Sequence, residues 1–188
     1  MTATRTIRPT THDAIINAAI ATLAENPGAS MNDIAKRAGV GRATVYRNYK
    51  TRDELIVAIQ ARSIKETDAA VLAALEEDMT ALQTLEAMFV AIIPLGDRFH
   101  FLSTEFAYDD ELKKKYQREL DWLTGLVHAL KSEGVIADDI PESWATEQLN
   151  QIIWTAWREV GEGRVAPAAA PALALRTFTR GMSEPTGE

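Results

Sequence analysis

Apolar residues recur at intervals of three and four along nearly the whole chain, and no stretch alternates apolar with polar residues over the length of a strand. A period near 3.6 lines up one face of a helix, whereas a half-buried strand needs a period of two. The expected fold class is therefore all-α. Ile15, Ile16, Ala19, Ile20 and Leu23 form the first apolar face, on a helix over 12–24 capped by Thr10 or Thr11 and stopped by Asn26-Pro27-Gly28. Two short helices follow, over 30–38 and 42–48, separated by Gly39-Val40-Gly41. The pattern then predicts a long helix over 52–77 capped by Thr51, and helices over 80–93, 97–107, 110–133, 141–161 and 168–181.

The stretch from Ser30 to Leu55 is the most informative. Two short helices joined by a glycine-containing turn make the helix-turn-helix layout. Ser30 is placed to cap the first of them, with Asp33 three residues on, where an acidic side chain suits a helix N-terminus. Ala35 is small enough to let the two helices cross closely, and Gly39 suits a left-handed turn position. Val40 and Val45 pin the second helix to the first, leaving Arg42, Ala43, Thr44, Tyr46, Arg47 and Asn48 outward. That surface fits a DNA major groove: arginine for guanine, small apolar groups for the thymine methyl, hydroxyl and amide for phosphate. A plain polar helical hairpin is the structural alternative.

Charge supports the nucleic-acid reading through its distribution. The net charge is −7, yet residues 1–55 hold eight basic and five acidic side chains, so this segment is +3 and the remainder −10. A basic head on an acidic body docks one end on phosphate while the body is repelled.

The pattern Ile34-Ala35, Ala38-Gly39-Val40, Thr44, Val45-Tyr46, Tyr49, Arg52 and Leu55 resembles that of TetR-type (tetracycline-repressor-like) transcriptional regulators, over roughly residues 12–60. The rest of the chain resembles them only in helix number and length. The resemblance implies residues 1–50 as the DNA-binding domain, with 1–9 a flexible arm, and 51–188 as a helical body for effector binding and dimerisation. It implies base-edge contacts from Asn32, Arg42, Ala43, Thr44 and Arg47, and phosphate contacts from Ser30, Tyr46, Asn48 and Arg52. It implies a double-stranded DNA operator of palindromic form, a homodimer and a small-molecule effector. Three positions depart from the pattern: Gly41 stands where serine often caps the recognition helix, Asn48 replaces the usual histidine, and Met31 the usual threonine.

In the second half, Met88, Phe89, Phe99, Phe101, Phe106, Trp122 and Trp154 either line an apolar ligand pocket or fill a core. Pro94-Leu95-Gly96 interrupts the helices among them, and His100 and Glu105 are polar groups in the same neighbourhood. An apolar, aromatic effector is expected there. The last two helices are expected to pair with their copies in a dimer, through Ala145, Leu149, Ile153, Ala156, Leu173 and Phe178.

Other chemistries find little footing. The chain has no cysteine, which excludes disulfides and thiolate metal sites, and His12, His100 and His128 are scattered. No metal or other cofactor is expected. Lys113-Lys114-Lys115 sits beside Asp109, Asp110 and Glu111, which nearly cancel it. No nucleophile elbow, phosphate loop or paired acid and base is evident, so an enzyme is not expected. No apolar run is long enough to span a bilayer, and Met1 to Thr11 lacks a secretory signal's apolar stretch, so a cytoplasmic protein without a membrane partner is expected. The rival reading is an all-helical small-molecule-binding or catalytic protein carrying a relic helix-turn-helix.

Overall fold

The computed structural model describes residues 10–103 and 110–183. Among them, every regular element is helical. In chain order these are α1 (Thr11–Glu25), α2 (Met31–Ala38), α3 (Arg42–Asn48), α4 (Arg52–Ala74), α5 (Ala81–Ile92), α6 (Gly96–Phe99), α7 (Asp110–Ser132), α8 (Glu142–Gly161) and α9 (Ala170–Met182). Two short 3-10 segments, Ile93–Leu95 and His100–Ser103, flank α6.

The starts of the helices follow from side-chain oxygens at the expected places. Thr10 Oγ1 accepts from the Asp13 N–H at 3.1 Å, and Thr51 Oγ1 from the Glu54 N–H at 3.1 Å. Ser30 and Asp33 form a reciprocal capping box: the Asp33 N–H donates to Ser30 Oγ at 3.3 Å, and the Ser30 N–H to Asp33 Oδ2 at 3.0 Å. Thr80 and Gln83 repeat the device at α5. Gly39, at φ 68° and ψ 27°, ends α2 in the left-handed conformation that a side chain would strain.

Two elements differ from the periodicity. The long helix stops at Ala74 rather than at 77, and Asp78 turns left-handed at φ 67°. Glu76, Glu77 and Asp78 would place three negative charges at the negative end of the helix dipole, which favours stopping before them. The single helix expected over 97–107 is replaced by the chain of 3-10, α6 and 3-10 turns up to Ser103. Ile93, Phe99, Phe101 and Leu102 are all buried, and no one face of a regular helix could bury that set.

Packing divides into two cores. One joins α5, α7, α8 and α9 around Leu85, Phe89, Val127, Leu130, Leu149 and Phe178. The other holds the N-terminal helices together through Ile15, Ile20, Leu23, Ile34, Val45 and Tyr49. This second core also takes in Leu55, Ile56 and Ile59 from α4 and Phe99, Phe101, Leu102 and Trp157 from further along the chain. The head therefore rests on the body through a continuous apolar contact across residue 50. Trp157 anchors the contact: its indole N–H donates to the Ile92 carbonyl at 2.9 Å, and its ring lies 5.9 Å from that of Phe99.

Gly96 makes this seat possible. A Cβ there would fall 2.5 Å from Trp157 Cα, backbone that has nowhere to move. Gly96→Ala is expected to destabilise the fold by about 1–3 kcal/mol through overpacking, read as a lower urea midpoint. Gly125→Ala, where nothing lies within 4 Å of the added carbon, serves as the control and should not lower it.

Candidate DNA-binding head and effector cavity

The candidate recognition surface is α3. Val45 is wholly buried against α1 and α2, which fixes the helix and leaves Arg42, Ala43, Tyr46, Arg47 and Asn48 exposed, with Thr44 half-buried. The Arg42 guanidinium lies over the Tyr46 ring, 5.2 Å from its centroid. Arg47 Nη2 donates to Thr44 Oγ1 at 3.0 Å, and Asn48 Nδ2 to the Thr44 carbonyl at 2.8 Å. Gly41 supplies no side-chain cap, so packing through Val45 and Tyr49 holds this short helix. Ser30 and Asn32 are exposed at the start of α2.

Arg52 occupies a different place from the one its sequence position suggests. Its Nη1 donates to the Ala29 carbonyl at 2.7 Å and its Nη2 to the Pro27 carbonyl at 2.6 Å, tying the loop before α2 to the start of α4. The head carries two further ties. Arg37 grips Glu25 with both guanidinium nitrogens at 2.6 and 2.8 Å, and this hydrogen bonding holds the Glu25 carboxyl below its ordinary pKa. Arg62 Nη2 donates to Asp13 Oδ1 at 2.5 Å, and the Asp13 pKa is lowered, first by its bond from Thr10 and then by that from Arg62. Tyr49 sits behind α3 with its hydroxyl buried and unpartnered, and burial pushes its pKa up to about 12.

Within the body, α4, α5, α7 and α8 line a cavity of about 490 Å³ that is partly open to solvent. Met88, Trp122 and Trp154 line it, as the aromatic clustering suggested. Phe89, Phe99 and Phe101 do not: each is packed into a core with at most 2% exposure. Phe106 and Glu105 lie outside the described residues, as does the arm 1–9. His100 points elsewhere, its ring against Gly161 and its Nδ1 3.2 Å from the Gly96 carbonyl.

The cavity's polar groups escaped the sequence reading. Gln60, Ser63, Asp68, Tyr116, Glu119 and Asn150 all line it. Asn150 Nδ2 donates to the Tyr116 hydroxyl at 2.9 Å. A signal existed: Gln60 and Ser63 follow Ile56 and Ile59 by four residues, so they fall on the inward stripe of α4. Asn150 likewise sits among Leu149, Ile153 and Trp157 on α8. Polar side chains on an apolar stripe mark places where a helix faces something other than a dry core. Trp157 lines the cavity as well as the head's core, and its ring meets that of Trp154 edge-on at 5.3 Å.

The expected dimer residues also need correction. Ala145, Leu149, Ala156 and Phe178 are buried within this chain, and Ile153 lines the cavity. Of the expected set Leu173, at 41% exposure, lies on the outward faces of α8 and α9, which also present Trp144 at 59%, with Ile152, Thr155 and Thr177 around a shallow depression of about 270 Å³.

An exposed second helix of the helix-turn-helix, set on a helical body with a half-open cavity, defines a helix-turn-helix protein of two parts. Residues 15–59 match the family described as bacterial regulatory proteins, tetR family. The transcriptional repressor LfrR of Mycolicibacterium smegmatis is 48% identical over 52 residues, a match that spans 28% of each chain. The crystal structure of LfrR from Mycobacterium smegmatis in complex with proflavine superposes with a TM-score of 0.75 at 23% identity, covering 93% of this chain and 98% of that one. The ketosteroid transcriptional regulator KstR2 of Mycobacterium tuberculosis gives 0.71 at 14% identity, covering 95% and 97%. The fatty acid degradation regulator FadR from Bacillus halodurans gives 0.72 at 18% identity, covering 93% and 97%. Residues 15–59 are thus similar to the tetR family of bacterial regulatory proteins, and the chain as a whole shares the fold of these solved regulators. Among the described residues, no helix is long and apolar enough to cross a membrane.

Arg52→Ala should lower the stability of the protein by about 1.5–3 kcal/mol, the worth of hydrogen bonds from a charged donor. Urea unfolding in the absence of DNA checks this. An unchanged midpoint would show that the clamp on Pro27 and Ala29 carries no weight.

Proposed function

We propose that this protein is a ligand-responsive transcriptional repressor that binds a palindromic operator as a homodimer and is released by a small aromatic effector. The observation that carries this reading is Trp157, one side chain shared by the effector cavity and the apolar seat of the DNA-binding head. A guest that shifts the indole acts on both at once. Two recognition helices related by a two-fold axis must sit about one DNA turn apart. A small tilt of each head, driven through Trp157, Phe99 and Leu102, changes that separation and lowers operator affinity. A coupling of about 1–3 kcal/mol is the ordinary size of such an effect.

On this reading Arg42 and Arg47 reach base edges together with Asn32, Ala43 and Thr44, while Ser30, Tyr46 and Asn48 hold phosphates. Arg52 supports them from behind by fixing the turn. The dimer forms through the outward stripes of α8 and α9 that carry Ile152 and Leu173. The complex of LfrR with proflavine supports a planar aromatic effector for a cavity walled by Trp122 and Trp154.

Selection of bound sequences from a random DNA pool should return a palindrome. Arg42→Ala or Arg47→Ala should then cost about 1–3 kcal/mol on it in gel-shift titration and relax specificity. Leu173→Glu should give monomers in sedimentation and abolish operator binding together, with the helical content intact. Operator affinity unchanged by both arginine replacements would overturn the assignment of α3, and a native chain that sediments as a monomer at micromolar concentration would overturn the dimer.

A further inference from the structure

We propose that Tyr46 is a positioning residue for base selection: its ring holds the Arg42 guanidinium in place for a guanine, a task separate from the contact its hydroxyl makes with phosphate. This rests on the reading of α3 as the DNA-reading helix, and it divides the work of one side chain between base selection and backbone binding.

Arg42 and Tyr46 stand four residues apart, neighbours on the exposed face of α3. A helical side chain leans back over the turn before its own Cα, so the Tyr46 ring falls on the turn that carries Arg42. The outcome is the stacked pair, with Arg42 Cζ 5.2 Å from the ring centroid. Ala43 carries only a methyl group and Val45 is wholly buried, so neither intrudes on it.

The position of Arg42 makes this support matter. It is the first residue of α3, at an end where Gly41 offers no side-chain cap. Helix ends without caps fray, and a long side chain there has many rotamers to lose on binding. A ring that holds the guanidinium beforehand removes part of that cost.

The two arginines of α3 are held in different ways. Arg47 Nη2 donates to Thr44 Oγ1 at 3.0 Å, so part of its donor fork is engaged within the helix. Arg42 is held by a ring instead, and among the described residues no oxygen accepts a hydrogen bond from it. Attraction between a cation and a ring face consumes no N–H. The whole fork of Arg42 is left for O6 and N7 of a guanine, the bidentate contact arginine makes in a major groove. Bound DNA also excludes water from the pair, which strengthens the attraction in the complex.

The test uses the sequence that the full-length native chain selects from random DNA, together with its single-base-pair variants, in gel-shift titration. Arg42→Ala identifies the pair that Arg42 reads, expected to be G·C. Tyr46→Leu should relax that same pair, cutting discrimination there roughly two- to thirtyfold while the other positions keep theirs. Tyr46→Phe keeps the ring, so it should keep native discrimination at that pair, and the loss from its missing hydroxyl should fall equally on all sequences. Adding Tyr46→Leu to Arg42→Ala should cost no further discrimination there. Circular dichroism and the urea midpoint should be unchanged in each variant, and should Tyr46→Leu fail to fold, Tyr46→Gln, equally without a ring, gives the same reading. Tyr46→Phe relaxing the pair as much as Tyr46→Leu, or Tyr46→Leu weakening all sequences alike, would overturn the positioning role and leave α3 as the reading helix. Native discrimination at every pair in Arg42→Ala, or selection of no sequence by the native chain, would overturn the assignment of α3 and this inference with it.

Discussion

The seat of Trp157 between α8 and the Gly96 backbone is the contact on which the rest of the molecule depends. The indole ring is apolar enough to close the core beneath the head, and its N–H is satisfied by the Ile92 carbonyl at the end of α5. One residue thereby joins α5, α8 and the segment around α6. Glycine at 96 and at 161 lets backbone approach where any side chain would collide, with Trp157 in one case and the His100 ring in the other. Close packing of this kind transmits displacement, since a dense interior has little room in which to absorb it.

The head is stiffened by polar ties in addition to its apolar core. Arg37 with Glu25, Arg62 with Asp13, and Arg52 with two carbonyl groups each join segments distant in sequence. None of these is a base-reading group. They tie α1, α2 and α4 together, and α3 packs on that frame through Val45 and Tyr49. The recognition helix itself has seven residues and no side-chain cap, too little to be stable alone. Its geometry is borrowed from its neighbours through Val45 and Tyr49.

The helix-turn-helix was legible because its determinants are local. A capping serine, a left-handed glycine and a 3.6-residue stripe act within a few residues of one another, and all three stand where the pattern put them. The body was legible only as helices. Which aromatic rings face space and which face protein depends on how distant helices cross, and spacing carries no information about that. Phe89 and Met88 are adjacent in sequence, yet only Met88 reaches the cavity. The same blindness put Ala145, Leu149, Ala156 and Phe178 on an expected outer face although they are buried within the chain, because apolar content cannot tell an outer face from an inner one. Leu173, the exposed member of that set, lies on a helix whose larger apolar stripe serves its own core. The polar lining was the part most open to recovery, through Gln60, Ser63 and Asn150 on stripes that otherwise read as buried.

The continuity of the N-terminal core past residue 50 bears on how freely such a protein could be recombined. Leu55, Ile56 and Ile59 lie beyond the recognition helix, and Phe99, Phe101, Leu102 and Trp157 come from much later in the chain, yet all belong to the same packed unit. A chimera joined just after the recognition helix would transplant the DNA-reading surface without the floor it stands on. Whatever body received it would have to supply matching shapes at seven positions in three separate stretches of sequence. A new specificity is more simply acquired by changing the exposed side chains of α3 in place. The head and body of this chain are thus bound to change together at their seam, while each remains free to vary at its own working surface.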